Sequence, residues 1–186
     1  MIIVDGPVQV DRYETLVNWL EERASWVKKE VGSKPGMRYS SMYELVLVEG
    51  IRFHAAPLPP DLEPMEIQQC YWNALDLSRY CDWTGGVPSM PFIYVEGFAM
   101  WSGEIAHHHA WNSPTEKFLS GQPDVVDTTW ANEAFLGYDE RAYLGIPFDS
   151  DWVARNISHH RLGLIDNWQD GWPLVRDGIP QEARFR

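Results

Sequence analysis

Cysteine, histidine and aspartate side chains can together cleave or transfer an amide, and this sequence offers them in chain order. They are Cys70 in "QQCYWNALDLSRY", His109 in "IAHHHAWN" and Asp127 in "DVVDTTW". A thiol attacks as its thiolate, and its unperturbed pKa is about 8.5, so a useful cysteine needs help. A helix N-terminus or a neighbouring imidazolium gives that help by stabilising negative charge. The nucleophile also needs a base within hydrogen-bond reach, and the base needs a group that orients it. In a strand at 105–112 the side chains alternate faces. His107 and His109 then share a face with Trp111, while His108 points away with Ala110. Asp127 stands between Val126 and Thr128 in a β-favouring run. A buried carboxylate is costly there unless partnered, and an imidazole is a natural partner.

These residue types admit other readings. Taken alone, Cys70 reads first as a small buried hydrophobe, because free cysteines commonly sit in cores, and only its partners shift the balance to a nucleophile. His107 and His109, two apart on one strand face, could ligate zinc with Asp127 as third ligand. Against this, Asn112, Ser113 and Pro114 follow where a His-x-His metal strand wants a glutamate, and no Cys-x-x-Cys or His-Glu-x-x-His occurs. A third class is a non-catalytic interaction protein that uses its acidic surface. Trp111 and Trp130 flank the base and the carboxylate, either as core packing or as a wall that excludes water. His107 and His108 read as flanking residues that contact substrate, and His159 and His160 as solvated ends of a helical segment. Cys81 carries no assigned chemistry.

The element that must position Cys70 is ambiguous. Met65 to about Tyr80 reads as helix, ended by "CDWTGG". Pro64 is an acceptable first helical residue, which would leave Cys70 in the interior, where the helix dipole helps a thiolate less, and local sequence does not decide between that and a helix starting at Cys70. Elsewhere the clearest helix is 11–31, with Asp11 as cap and Glu14 three residues later. Tyr13, Leu16, Val17, Leu20, Ala24, Val27 and Val31 recur at helical spacing before Gly32. "SMYELVLVEGIRF" reads as strand, turn and strand edge, and "AAPLPPDLEP" as a proline-rich connector. Strands are expected next at "PFIYVEGFAM", "IAHHHAWN", "DVVDTTW" and "YLGIPF". Gly97 in the first of these marks a close backbone approach or a bulge. "SDWVARNISHHRLGLIDNW" looks helical at first, and the last fifteen residues give no firm signal. A helix followed by a strand meander predicts an α+β fold with helices on one side of an antiparallel sheet.

Three contexts in this order, "QCYWNA", "HHAWN" and "VVDTTW", resemble the transglutaminase-like superfamily of cysteine enzymes. There a cysteine begins a helix, a histidine stands in a strand as "HAW", and an aspartate follows as "D-x-T". The resemblance spans about residues 65–150, including "YVEGFA" and "YLGIPF", and is similar to that of small bacterial and phage members. It implies a papain-like core, with the cysteine helix packed on an antiparallel sheet and Cys70 at the helix start. It further implies a Cys70–His109–Asp127 triad acting on a peptide or other amide through a thioester, with no metal or organic cofactor. Cys70 N–H and a side chain of Gln68 or Gln69 would hold the oxyanion. Papain-type enzymes place a glutamine six residues before the cysteine. Here that position is Pro64, so the second donor is unassigned.

Composition bounds the rest. A chain of 186 residues, 45% hydrophobic and 23% charged, suits one α+β domain. It divides into an N-terminal helix-and-hairpin part at 1–60, a catalytic core at about 65–150 and an extension at 151–186. The net charge of −12 argues against nucleic acid and against an anionic membrane surface. It favours a neutral or cationic substrate. No run approaches the roughly 20 apolar residues of a membrane helix. "MIIVDGPVQVDR" lacks a basic start, so no signal peptide is expected. If one helix joins Cys70 and Cys81, about 16 Å separates them, too far for a disulfide. Two free thiols imply a reducing, cytoplasmic setting.

Overall fold

Helix starts in this chain follow their caps. Asp11 accepts the Tyr13 N–H at 2.9 Å and opens α1 (Arg12–Glu30), which runs to Val31 before Gly32 turns left-handed. The structure is a computed structural model that describes residues 11–32, 35–79, 91–101, 105–131, 141–157 and 163–185. Cys81, His159 and His160 lie outside those residues, so the expectations for them do too.

Ser41 accepts the Glu44 N–H at 3.2 Å, and the Glu44 carboxylate takes the Ser40 N–H in return. This reciprocal cap starts α2 (Met42–Glu49). The hairpin expected for 41–53 is therefore corrected: most of it is helix, and only β1 (Ile51–Phe53) is strand. β-propensity in "MYELVLVE" yields to the cap and to complete burial of Leu45 and Val46. Each such side chain contributes about 1.5–3 kcal/mol when removed from water.

The helix expected from Met65 is shorter. α3 spans Cys70–Ser78, and the preceding segment is irregular. Two features forbid helix there: the Met65 N–H donates to the Thr128 carbonyl at 2.9 Å, and Gln68 sits at φ 64. A left-handed glutamine is uncommon and costs on the order of 1–3 kcal/mol.

The sheet is wholly antiparallel. β2 (Phe92–Met100) pairs with β3 (His107–Pro114) and with β4 (Ala142–Phe148), giving the order β1-β4-β2-β3. Gly97 of β2 faces His109 on one side and Gly145 on the other, in continuous register without a bulge. A Cβ at Gly97 would lie 2.2 Å from the Leu144 carbonyl oxygen, and one at Gly145 would lie 2.5 Å from the Trp111 ring. The two glycines thus let the strands close up and admit the Trp111 indole.

One sheet face carries Tyr94, Phe98, Ala110, Leu144, Ile146 and Phe148 under α1, α2, α3 and α5 (Ser150–Asn156), with α6 (Pro173–Asp177) beside α2. The other face buries Phe53, Val95, Trp111, Val125, Trp130 and Tyr143, flanked by Phe118 of α4 (Thr115–Leu119). A short 3₁₀ turn at Gln181–Ala183 precedes Arg184, which bridges to Phe148 of β4. The architecture is α+β with helices gathered mainly on one face. No helix among the described residues is long and apolar enough to cross a membrane.

"DVVDTTW" is not a strand. It makes single bridges only, Asp124 to His54 and Val126 to Asn112. From Asp127 onward the carboxylate folds back on its own backbone and ends any ladder.

Candidate active site

Cys70 is the first residue of α3, half-buried, directly after Gln69 as N-cap. Its N–H is one of those a helix leaves without an internal acceptor, on the positive end of the helix dipole. The interior placement that Pro64 would allow is not adopted. Asn73, one turn on, fixes the register of this helix start. Its Nδ2 donates to the Glu66 carbonyl at 2.7 Å and to the Thr129 hydroxyl at 2.9 Å. The segment before Cys70 and the turn after Asp127 are thereby clasped together. Asn112 does the same from below, its Nδ2 donating to the Ala74 carbonyl of α3 at 2.8 Å.

His109 is 2% exposed in the middle of β3, and its Nε2 lies 2.8 Å from Asp127 Oδ2. The Asp127 carboxylate has every acceptor position occupied. Oδ2 also accepts the Tyr143 hydroxyl at 3.1 Å, and Oδ1 accepts the Thr129 and Trp130 N–H groups, each at 3.0 Å. Such a carboxylate is worth burying because nothing on it is left unpaired. Burial by itself pushes the carboxyl pKa up. The charge and hydrogen bond of His109, then Trp130 N–H and Tyr143 OH, outweigh burial and hold it below the usual value. Burial likewise pulls the His109 ring down, but the charge and hydrogen bond of Asp127 outweigh it. Cys70 adds a smaller contribution in the same direction, and the ring is raised to about 10. With Nε2 on Asp127, Nδ1 is the nitrogen left to Cys70. Ring and carboxylate thus stand in series, with Cys70 lining the same groove as the ring.

Aromatic rings enclose this series. Trp130 stacks on His109 with centroids 4.0 Å apart and planes at 13°. Trp101 packs on Trp130 at 4.4 Å, and His107 meets both indoles. At Cys70 opens a groove of about 440 Å³ lined by Ile67, Gln68, Trp101, His107, Thr129 and Trp130, to which His108 and His109 also contribute. Gln68 is exposed in the groove, whereas Gln69 holds the N-cap position without a side-chain cap and is not among the groove's lining residues. Trp111 is buried to 1% against Phe53 and Tyr143, beneath His109 rather than in the groove. It packs under the ring and is not among the groove's lining residues.

The histidine run divides as alternation requires. His107 faces solvent beside Trp101, while His108 turns to the helical face, where its Nδ1 is 2.9 Å from the Tyr71 hydroxyl. His108 Nε2 lies 3.1 Å from Glu96 Oε1 without hydrogen-bond alignment. Glu96 is fully buried and accepts the Leu164 and Ile165 N–H groups at 2.9 and 2.7 Å and the Tyr94 hydroxyl at 2.9 Å. Burial first, and then the charge of Glu96, raise the Tyr71 pKa. Tyr71 follows Cys70 directly, so this second polar cluster braces the same helical turn from the opposite face.

Among the described residues no three His, Cys, Asp or Glu side chains are grouped to hold a metal. His107 does not join His109 and Asp127, and His109 Nε2 is engaged by Asp127. Sequence reasoning missed Tyr143, Asn73, Glu96, Trp101 and Ile67. Alternation along β4 and β2 places Tyr143 and Glu96 on opposite faces, but only the sheet order shows which groups they meet. No protein-family model, curated protein or solved structure was found to match this chain.

Proposed function

We propose that the protein is a thiol-dependent acyl-transfer enzyme with a transglutaminase-like, papain-like core, acting on a peptide or another amide. The observation that carries this reading is the buried Nε2–Oδ2 contact of 2.8 Å, with Cys70, at a helix N-terminus, lining the same groove as that ring.

In this reading the Cys70 thiolate adds to the carbonyl carbon and the C–O π electrons move to oxygen. Cys70 N–H stabilises that oxyanion, and the Gln68 side chain in the groove is the second donor. His109 Nδ1 gives its proton to the leaving amine as the C–N bond breaks, leaving a thioester on sulfur. Water or an amine then attacks the thioester, gives its proton to Nδ1, and the sulfur leaves as thiolate. Asp127 keeps Nε2 protonated and supports the imidazolium without itself taking a proton. Trp130, stacked on the ring, keeps bulk water from the ion pair and strengthens it. No step calls for a metal or organic cofactor.

The test is alkylation by iodoacetamide at about pH 6, where ordinary thiols react slowly. Peptide mapping is expected to find Cys70 modified well ahead of Cys81, with the preference lost in His109→Ala. Equal modification of the two cysteines in the unaltered protein would overturn the reading.

A further inference from the structure

The walls of the groove carry information about what leaves or enters the thioester. His109 Nδ1 must reach the departing or attacking nitrogen, so the amine portion of the substrate lies alongside the imidazole. One face of that ring is already covered by Trp130, whose outer neighbours are Trp101 and His107. An amine bound there extends onto the Trp101 indole, which is half-buried and open to the groove. On the side of the segment preceding Cys70, Ile67 is 58% exposed, a large apolar side chain at the groove rim.

Charge on the amine portion finds no support. Among the described lining residues there is no Lys or Arg to receive a carboxylate and no Asp or Glu to receive a cation. The net charge of −12 further disfavours anions, and in amide cleavage the protonated His109 disfavours a second positive charge on the leaving amine beside it.

We propose that the site selects an amine portion bearing an uncharged aromatic or bulky apolar group, seated on Trp101 and Trp130, as leaving group or as acyl acceptor. This rests on the reading of Cys70 as nucleophile and adds the substrate class on one side of the bond. By microscopic reversibility the acceptor amine and the leaving amine occupy the same place. In the acceptor direction the amine nitrogen attacks the thioester carbonyl and the C–N bond forms. The N–H proton passes to Nδ1 and the C–S bond breaks with the electron pair on sulfur.

The experiment loads the full-length protein with acetyl from p-nitrophenyl acetate and offers acceptors: phenethylamine, propylamine, β-alanine and ethylenediamine. The readout is the ratio of N-acetyl amine to acetate, which is independent of the fraction of active protein. Phenethylamine is expected to capture acetyl at least about tenfold better than propylamine, and both better than the charged amines. Trp101→Ala should bring the first ratio close to one, and Trp101→Phe should largely restore it. Equal or better capture by a charged amine, capture by none, or a preference unchanged in Trp101→Ala would each overturn the proposal. A nitrophenolate burst that persists in Cys70→Ser would instead refute the nucleophile reading beneath it.

Discussion

Replacing Asp127 with asparagine tests the electrostatic logic of the site while keeping its shape. The amide oxygen can still accept the Thr129 and Trp130 N–H groups, as Oδ1 does at 3.0 Å. The amide nitrogen then faces His109 Nε2, where a carboxylate oxygen stood at 2.8 Å. A donor opposite Nε2 forces the neutral tautomer with its proton on Nδ1, so the ring can no longer take a proton from the Cys70 side. The imidazolium also loses the two largest contributions that raise it. Its burial, the strongest opposing influence, remains, so the pKa is expected to fall from about 10 to its ordinary 6.5 or below. Acyl transfer should drop roughly 10⁴-fold, the size seen when a triad histidine is held in the wrong tautomer. Nitrogen-detected NMR of the imidazole reads the charge directly. At about pH 8 the unaltered protein should show both His109 nitrogens protonated and the variant should show one. A ring that is neutral in the unaltered protein at that pH, or one still cationic in the variant, would refute the reasoning.

Other outcomes follow from the same contacts. The pair sets a pH window for stability. The raised His109 contributes fully below 6.5, and that contribution is lost as pH rises toward about 10. The lowered Asp127 contributes above 3.8, and its share is lost as pH falls through its depressed folded value. Urea unfolding should therefore show a decline in stability on the alkaline side that Asp127→Asn lacks. Glu96→Ala strips the acceptor from the Leu164 N–H, Ile165 N–H and Tyr94 OH groups, and should cost on the order of 3–5 kcal/mol in chemical denaturation. Asn73→Ala leaves the Glu66 carbonyl and the Thr129 hydroxyl without their shared donor, about 1–3 kcal/mol by the same measurement. It should also slow Cys70 alkylation, because the helix start loosens against the Asp127 turn.

What could be read from the sequence was mostly what periodicity encodes. The α1 helix and strands β2, β3 and β4 announce themselves by spacing, and the alternation of 107–109 correctly separates His108 from its neighbours. Two short segments misled, because β-forming residues there are overruled by local hydrogen bonds. Ser41 with Glu44 caps a helix out of "MYELVLVE", and the Asp127 carboxylate turns "DTTW" back on itself. The start of α3 was undecidable locally, since the contacts that exclude helix at 65–69 come from Thr128, some sixty residues on. The site was legible as a set of residue types in order, and its supporting groups were not. Tyr143, Asn73 and Glu96 become meaningful only once the strand order brings them beside Asp127, Thr129 and His108.

The claim at the centre is that Cys70 carries an acyl group with His109 as its proton partner. Intact-mass analysis after brief exposure to p-nitrophenyl acetate, followed by peptide mapping, addresses it directly. The expected result is one acetyl on Cys70, removed by neutral hydroxylamine as a thioester is, and greatly diminished in His109→Ala. An acetyl found elsewhere, or one formed on Cys70 at the same rate without the imidazole, would contradict it.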